Sequence, residues 1–211
     1  MSSSTIQSQR DAARDAPPVG AVEVPPSGER LRAARAALGD RPLVLVGLMG
    51  AGKTTVGRQV AQYMALPFTD ADEEIEAVST MSVADLFSAY GEEEFRSLER
   101  RVIERLAQSG PGVLATGGGA FMDERTRTLL NRETRTVWLR AELDVLVERT
   151  ARKKTRPLLR TGDPRTILAR LMDERYPIYA AAHGTVESTR TQREVVASRV
   201  VAALAAMGPA A

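Results

Sequence analysis

The sequence contains no cysteine and only one histidine, His183. Disulfide bonds, thiolate metal sites and cysteine nucleophiles are therefore excluded, and so is a histidine-rich zinc site. The absence of cysteine is compatible with a reducing compartment, and we expect a cytoplasmic protein. No apolar run approaches the roughly 18 residues of a membrane span, because Arg199 interrupts the most apolar segment, residues 195–211. We expect no membrane partner.

Lysine is also scarce, since only three of the 29 basic residues are lysine and the rest are arginine. The net charge of +2 gives no strong reason to expect a nucleic-acid partner. With 43% hydrophobic and 27% charged residues, a chain of 211 residues has enough apolar side chains to form the core of one globular domain.

Hydrophobic periodicity is missing from residues 1–28, which are rich in serine, alanine, proline and glycine. This composition predicts a disordered N-terminal tail. We assign residues 29–211 to a single domain, and we expect residues 29–38 to form a short amphipathic helix that leads into it.

From Pro42 onward, short apolar runs alternate with longer segments of helical periodicity. This alternation predicts a doubly wound α/β domain with a parallel sheet. The predicted strands are Leu43–Val46, Phe68–Asp70, Val113–Thr116, Thr136–Leu139 and Thr185–Glu187. The predicted helices are Lys53–Met64, Asp72–Ser79, Val83–Tyr90, Glu92–Gln108, Asp123–Asn131, Glu142–Arg152, Pro164–Ala182 and Arg190–Ala206.

A phosphate-binding motif follows the first predicted strand. Residues 47–54 read Gly-Leu-Met-Gly-Ala-Gly-Lys-Thr, the P-loop pattern between a strand and a helix. Backbone N–H groups of such a loop surround phosphate, Lys53 reaches the β and γ phosphates, and the Thr54 hydroxyl is a ligand for Mg²⁺. The motif predicts a nucleoside triphosphate, without choosing among kinases, GTPases and motor ATPases.

Two acidic residues, Asp70 and Asp72, stand where the second strand ends and a helix begins. Open α/β folds bind ligands at this edge of the sheet. One carboxylate suits hydrated Mg²⁺, and the other suits an attacking hydroxyl. Helix capping by Asp72 is an alternative explanation, and the two roles are compatible.

Arg96 and Glu99 are spaced to share one helix face, where the glutamate orients the guanidinium toward an anion. By itself this spacing is equally typical of an ordinary exposed ion pair. Residues 117–119 are three consecutive glycines at the end of the third strand, a pattern that favours close approach of a ligand to the backbone.

Residues 149–160 contain six basic and no acidic side chains. Such a cluster is typical of a solvated face, of a nucleic-acid patch, or of a lid that closes over the phosphates of ATP. Arg175 is a further cation on a long predicted helix.

Taken together and in this order, the motifs resemble those of the shikimate kinase family of small P-loop kinases. They extend over residues 43–188 and are Gly47-x-x-Gly-x-Gly-Lys-Thr54, Phe68-x-Asp-x-Asp72, Gly91-Glu-x-x-Phe-Arg-x-x-Glu99, Thr116-Gly-Gly-Gly119, Arg156-Pro-Leu-Leu159 and Arg175-x-x-x-Tyr179.

The resemblance implies a three-layer α/β/α P-loop fold with a five-stranded parallel sheet. It further implies a helical substrate-binding region at about residues 71–100 and a mobile lid at about residues 149–163. The implied activity is transfer of the γ-phosphoryl group of ATP to the 3-hydroxyl of shikimate, with Mg²⁺, in a monomer.

The resemblance also implies roles for individual residues. Those implied in catalysis are Lys53, Asp72 and Arg156. Those implied in nucleotide binding are Gly50, Ala51, Gly52, Lys53, Thr54, Thr55, Arg149 and Arg156, with either Arg190 or Gln192 near the adenine. Those implied in shikimate binding are Asp72, Phe95, Arg96, Gly118, Gly119 and Arg175. Those implied at Mg²⁺ are Thr54 and Asp70.

Two other hypotheses remain. The nearest is another small-molecule P-loop kinase, such as a gluconate kinase. The second, from a different class, is a catalytically idle sensor or nucleic-acid binder that uses the basic cluster, although Lys53, Asp70 and Asp72 argue against it.

Overall fold

The computed structural model describes residues 22–151 and 162–209. Five parallel strands form its sheet, in the order β2-β3-β1-β4-β5. The strands are β1 (Leu43–Val46), β2 (Phe68–Asp70), β3 (Val113–Ala115), β4 (Arg135–Arg140) and β5 (Gly184–Glu187).

Eight α-helices and one 3-10 helix, Ala120–Met122, lie within these described residues. The α-helices are α1 (Gly28–Leu38), α2 (Lys53–Met64), α3 (Ala71–Ser79), α4 (Val83–Ala107), α5 (Glu124–Glu133), α6 (Leu143–Ala151), α7 (Pro164–Tyr179) and α8 (Arg193–Ala206).

The central strand β1 is buried along its whole length. It pairs with β3 on one side, where Leu45 lies opposite Ala115, and with β4 on the other, where Leu45 lies opposite Val137. A parallel strand that is covered on both faces requires the continuous apolar sequence Leu-Val-Leu-Val rather than an alternating one. These residues therefore place β1 at the centre of the core.

The order of the strands in the sheet determines where a ligand-binding crevice forms. From β1 the chain crosses to the outer strand β2, whereas from β3 it crosses in the opposite direction to β4. Right-handed crossovers in opposite directions cover opposite faces of the sheet, and a crevice opens between the carboxyl ends of β1 and β3. The P-loop follows β1 and the three glycines follow β3, so both border this crevice.

Helices cover the sheet in two groups. Helices α1, α2 and α8 contact one another, while α3 with α4, α4 with α5 and α6 with α7 form the second group. The longest helix, α4, buries Phe95, Val102 and Ile103 on its inner face. In the described part of the chain, no helix has both the length and the apolar character needed to cross a bilayer.

The sheet confirms the predicted parallel α/β fold, and the bounds of β1, β2 and α2 agree with those read from the sequence. The predicted break between two helical segments at Gly91 is also confirmed. The predicted segments Val83–Tyr90 and Glu92–Gln108 correspond to the two helical parts of α4, which join at a kink where Gly91 has a non-helical φ of 80° and ψ of 178°.

The largest differences from the predicted bounds are at two helix ends. Helix α7 ends at Tyr179 rather than Ala182, because the last residues form i to i−3 hydrogen bonds, such as that from Ala182 N to Tyr179 O at 3.0 Å. Helix α8 begins at Arg193 rather than Arg190, with Gln192 at the N-cap position.

Candidate active site

The P-loop adopts a backbone conformation that requires glycine. Gly47, Gly50 and Gly52 have φ values of 138°, 84° and 96°, a region that residues with a Cβ rarely adopt. A Cβ on Gly47 would also lie 2.6 Å from the carbonyl oxygen of Leu139 and 3.4 Å from Cδ1 of Trp138. Helix α2 begins directly after the loop, so its N-terminal N–H groups face the crevice, as an anion site requires.

Lys53 lies along this loop. Its Nζ donates hydrogen bonds to the carbonyl oxygens of Gly47 at 2.7 Å and Leu48 at 3.1 Å. Burial raises the pKa of Asp72, and the Lys53 ammonium group opposes this rise from across the crevice. Lys53 therefore stands between the phosphate loop and the predicted acceptor site.

Thr54, Asp70 and Asp72 form a connected group. The Thr54 hydroxyl donates to Asp70 Oδ2 at 2.7 Å, and the Asp72 backbone N–H donates to Asp70 Oδ1 at 3.0 Å. Asp70, rather than Asp72, is thus the residue that caps α3, and this leaves the Asp72 carboxylate available. Burial raises the pKa of Asp72, the neighbouring Asp70 carboxylate raises it further, and Lys53 opposes both effects.

The side-chain oxygens of Thr54 and Asp70 are suitable ligands for Mg²⁺. A threonine hydroxyl and a carboxylate beside a phosphate-binding loop are the hard oxygen ligands that Mg²⁺ takes, together with waters and phosphate oxygens. Thr54 and Asp70, which already share a hydrogen bond, are the two side chains that would hold the ion.

Arg96 is oriented by two acids on the same helix. Its Nη1 donates to Glu99 Oε2 at 2.6 Å, and its Nη2 lies 3.3 Å from Glu92 Oε1. The Glu99 side chain is only 4% exposed, whereas Arg96 is 30% exposed. Burial raises the pKa of Glu99, and the Arg96 guanidinium opposes this shift. The pair is therefore partly buried rather than the ordinary exposed ion pair that the spacing alone also allows.

Two aromatic rings flank Arg96. The Arg96 Cζ atom lies 5.2 Å from the ring centroid of Phe95 and 5.8 Å from that of Phe87. The ring centroids of Phe87 and Phe95 are 4.3 Å apart. Phe95 is 4% exposed, so it supports Arg96 from the core side, and Phe87, which the sequence analysis did not single out, adds a second ring.

The three glycines after β3 lie against the acidic and cationic side chains. A Cβ on Gly117 would be 2.9 Å from both Asp72 Oδ1 and Glu99 Oε1, and a Cβ on Gly119 would be 2.5 Å from Arg96 Nη2. A side chain at either position would displace the charged groups. Gly117 was not among the predicted site residues, and its only sequence signal was its place in the glycine run.

Arg175 reaches the same glycines from α7. Its Nη1 donates to the carbonyl oxygen of Gly118 at 3.1 Å. Arg96 lies against Gly119 and Arg175 against Gly118, so residues 79 positions apart in the sequence bring two guanidinium groups to one dipeptide. Two guanidiniums near the Asp72 carboxylate form a site suited to a small hydroxylated anion.

Arg149 lies on the nucleotide side. Its guanidinium donates to the Ser188 hydroxyl at 2.9 Å and to the Thr189 carbonyl oxygen at 2.6 Å, and Ser188 donates to the Ala51 carbonyl oxygen at 2.7 Å. A chain of hydrogen bonds therefore ties the residues after β5 to the P-loop. Ser188 was missed because nothing local in the sequence marks it.

The remaining predicted residues are placed as follows. Gly50, Ala51 and Gly52 lie in the loop, and Thr55 is exposed in the first turn of α2. Arg190 pairs with Glu148 at 3.1 Å. Arg156 and most of the predicted lid, residues 152–161, lie outside the described residues.

A parallel sheet with a P-loop after its central strand, an acidic pair after β2 and two arginines at the glycine run define a P-loop phosphotransferase of the small-molecule kinase type. The sequence model of the shikimate kinase family matches residues 49–205. The chain belongs to the shikimate kinase family.

Individual relatives agree with this assignment. The chain is 52% identical to a shikimate kinase of Mesorhizobium japonicum over 186 residues, which is 88% of this chain and 92% of the relative. It is 56% identical to a shikimate kinase of Brucella canis over 172 residues, or 82% and 86% of the two chains. The structure of an Acinetobacter baumannii shikimate kinase in complex with shikimate superposes with a TM-score of 0.75 at 36% identity, covering 79% of this chain and 94% of that one.

Proposed function

We propose that this chain transfers the γ-phosphoryl group of ATP to the 3-hydroxyl of shikimate, giving shikimate 3-phosphate and ADP. The observation that carries the proposal is the convergence of Arg96 and Arg175 on the Gly118–Gly119 dipeptide, beside Asp72. Shikimate is a small ring that bears one carboxylate and three hydroxyls. The two guanidinium groups suit the carboxylate, and Asp72 suits a hydroxyl.

In this reaction the acceptor oxygen forms a bond to the γ-phosphorus, and the bond from that phosphorus to the oxygen bridging to the β-phosphate breaks. The electron pair of the broken bond stays on ADP. Asp72 accepts the hydrogen bond, and then the proton, of the attacking hydroxyl. Burial and the Asp70 carboxylate raise the pKa of Asp72, and a more basic carboxylate holds that proton better.

Lys53 and the P-loop N–H groups bind and orient the phosphates, with Lys53 meeting the negative charge that spreads over the transferred group. Arg149, held by Ser188 and Thr189, supports the nucleotide side. From the sequence alone, Arg156 adds a second cation on the phosphates. Thr54 and Asp70 would hold Mg²⁺, which when bound would supply positive charge that neutralises the phosphates.

Domain boundaries and assembly are also part of the proposal. In this proposal residues 1–28 are a tail and residues 29–211 are the kinase domain. Residues of about 71–100 bind the acceptor, and a lid at about 149–163 closes over the phosphates of ATP. We expect a cytoplasmic monomer without a nucleic-acid or membrane partner. Light scattering of the purified chain at micromolar concentration measures the assembly directly, and a dimer mass would contradict it.

The test is a coupled assay of ADP release with Mg²⁺ and ATP, in which shikimate, gluconate, quinate and no acceptor are compared. We expect ADP release that depends on shikimate, because membership of the family and the two arginines favour a cyclic hydroxylated acid over the open chain of gluconate. Faster turnover of gluconate than of shikimate would identify gluconate as the acceptor and support the gluconate kinase hypothesis. A rate that no acceptor raises would refute the acceptor assignment.

A further inference from the structure

Tyr179 is a buried tyrosine of α7 whose hydroxyl reaches the glycine run. Its side chain is 1% exposed, and its ring packs near Phe121 and Trp138, with centroid distances of 6.2 and 5.9 Å. The hydroxyl donates a hydrogen bond of 2.5 Å to the carbonyl oxygen of Gly118. None of the roles described above uses this contact.

The same carbonyl oxygen also accepts the hydrogen bond from Arg175 Nη1 at 3.1 Å. Tyr179 and Arg175 are four residues apart, so both project from one face of α7. Two donors on one carbonyl fix the direction of that C=O bond. Because the peptide unit is planar and trans, they also fix the N–H of Gly119, which points to the opposite side.

The peptide between Gly118 and Gly119 lies between the P-loop, on the nucleotide side of the site, and Arg96, on the acceptor side. A Cβ on Gly118 would be 3.4 Å from the backbone nitrogen of Met49, in the P-loop. A Cβ on Gly119 would be 2.5 Å from Arg96 Nη2. The Gly119 end of the peptide therefore belongs to the acceptor side, next to the guanidinium that we assign to the acceptor carboxylate.

We propose that Tyr179 is a positioning residue for the acceptor: its hydroxyl holds the Gly118–Gly119 peptide so that the Gly119 N–H faces the bound hydroxylated acid beside Arg96. The inference rests on the proposed function. Burial raises the pKa of the Tyr179 phenol far above neutrality, so the hydroxyl is a proton donor throughout the working pH range.

The experiment compares Tyr179→Phe with Tyr176→Phe. Both tyrosines lie on α7 and donate to a backbone carbonyl, but Tyr176 donates to Ala141, outside the glycine run. We expect Tyr179→Phe to weaken shikimate binding by about fivefold, the equivalent of one ordinary hydrogen bond, as measured by calorimetry. The affinity for ATP should remain within about twofold of wild type, and Tyr176→Phe should leave both affinities unchanged.

An unchanged shikimate affinity in Tyr179→Phe would overturn the inference, and so would an equal loss of shikimate and ATP affinity, since that indicates general loosening. A loss of shikimate affinity in Tyr176→Phe as large as that in Tyr179→Phe would also overturn the inference. These outcomes are separable from failure of the proposed function, because they are read in a comparison with wild-type protein that already shows shikimate-dependent ADP release.

An NMR measurement on the wild-type protein tests the same inference even where Tyr179→Phe does not fold. In ¹⁵N-labelled protein, shikimate should shift the Gly119 amide resonance and slow its hydrogen exchange. The amide of Gly110, in the turn between α4 and β3, serves as the control. A Gly119 amide that does not respond to saturating shikimate would overturn the inference.

Discussion

The backbone N–H of Asp72 donates a hydrogen bond to the side chain of Asp70, Oδ1, at 3.0 Å. This contact separates the functions of two acids that stand two residues apart. Asp70 uses one oxygen to cap α3 and the other to accept from Thr54, whereas Asp72, with its backbone rather than its carboxylate engaged, presents that carboxylate to Lys53 and Arg96. The capping role that the sequence offered for Asp72 therefore belongs to Asp70.

Asp72→Asn should lower turnover at least tenfold while the affinity for ATP stays within about twofold, because the variant loses the proton acceptor for the attacking hydroxyl. Steady-state kinetics with shikimate and calorimetry with ATP measure the two quantities. Glu73→Gln is the matched control, since Glu73 is the next residue and pairs with Arg58 at the surface. Equal turnover in wild type and Asp72→Asn would show that Asp72 is not the proton acceptor.

The same substitution should change the pH dependence of stability. Burial and Asp70 raise the pKa of Asp72 in the folded chain. Its contribution to stability is therefore full below about pH 4, the ordinary pKa range of an aspartate, and is lost as the pH rises through the raised pKa. Denaturant unfolding should show Asp72→Asn to be more stable than wild type at about pH 7.5, with the difference shrinking toward about pH 4. A difference that grows on acidification has the wrong sign for this explanation.

Arg96→Ala should weaken shikimate binding by about 2 kcal/mol, the range for a hydrogen bond to a charged group. Arg105→Ala removes an arginine of the same helix that pairs with Glu74 at 2.7 Å on the surface, and it should leave the affinity unchanged. Calorimetry with shikimate measures both. The assignment of Arg96 fails when the two variants bind shikimate equally well.

Gly119→Ala should weaken shikimate binding about tenfold or more without preventing folding. The new Cβ would lie 2.5 Å from Arg96 Nη2, and the end of an arginine side chain moves away more readily than backbone. Gly112→Ala is the control, because its Cβ would meet Pro67 at an ordinary 3.5 Å. Wild-type affinity in Gly119→Ala would show that the position of Arg96 does not depend on this glycine.

Two N-terminal deletions should have different effects on the free energy of unfolding. Helix α1 begins at Gly28, is capped by Ser27 and buries Ala34, Ala37 and Leu38, largely against α8. Deletion of residues 1–21 should leave the free energy of unfolding unchanged, whereas deletion of residues 1–39 should lower it by about 3 kcal/mol, from lost apolar burial. Denaturant unfolding measures both. A large loss with the shorter deletion would show that the tail packs on the domain.

Local patterns predicted much of this protein correctly. The P-loop depends on consecutive residues, so its strand, loop and helix were read directly from the sequence. The Arg96–Glu99 pair was also visible as a helical spacing, but its burial was not, because the exposure of Glu99 is set by packing around α4 rather than by neighbours in sequence.

Contacts between distant segments were not predictable in the same way. Ser188 meets Arg149 and Ala51 only because β5 ends at the edge of the sheet where β1 ends. The Tyr179 hydroxyl meets Gly118 across 61 positions of sequence. The sequence placed Tyr179 in a motif with Arg175, yet the atom that it contacts depends on how α7 packs on the sheet.

Trp138 is the only tryptophan of the sequence. It lies beside Gly47 at the start of the phosphate loop, and its ring centroid is 4.9 Å from that of Tyr176 on α7. The indole N–H is buried and has no hydrogen-bond partner among the residues that the structure describes. Indole emission depends on such surroundings, so the single tryptophan reports on the space between the nucleotide loop and the helix that bears Arg175. The order in which ATP and acceptor bind is therefore open to stopped-flow fluorescence without any label.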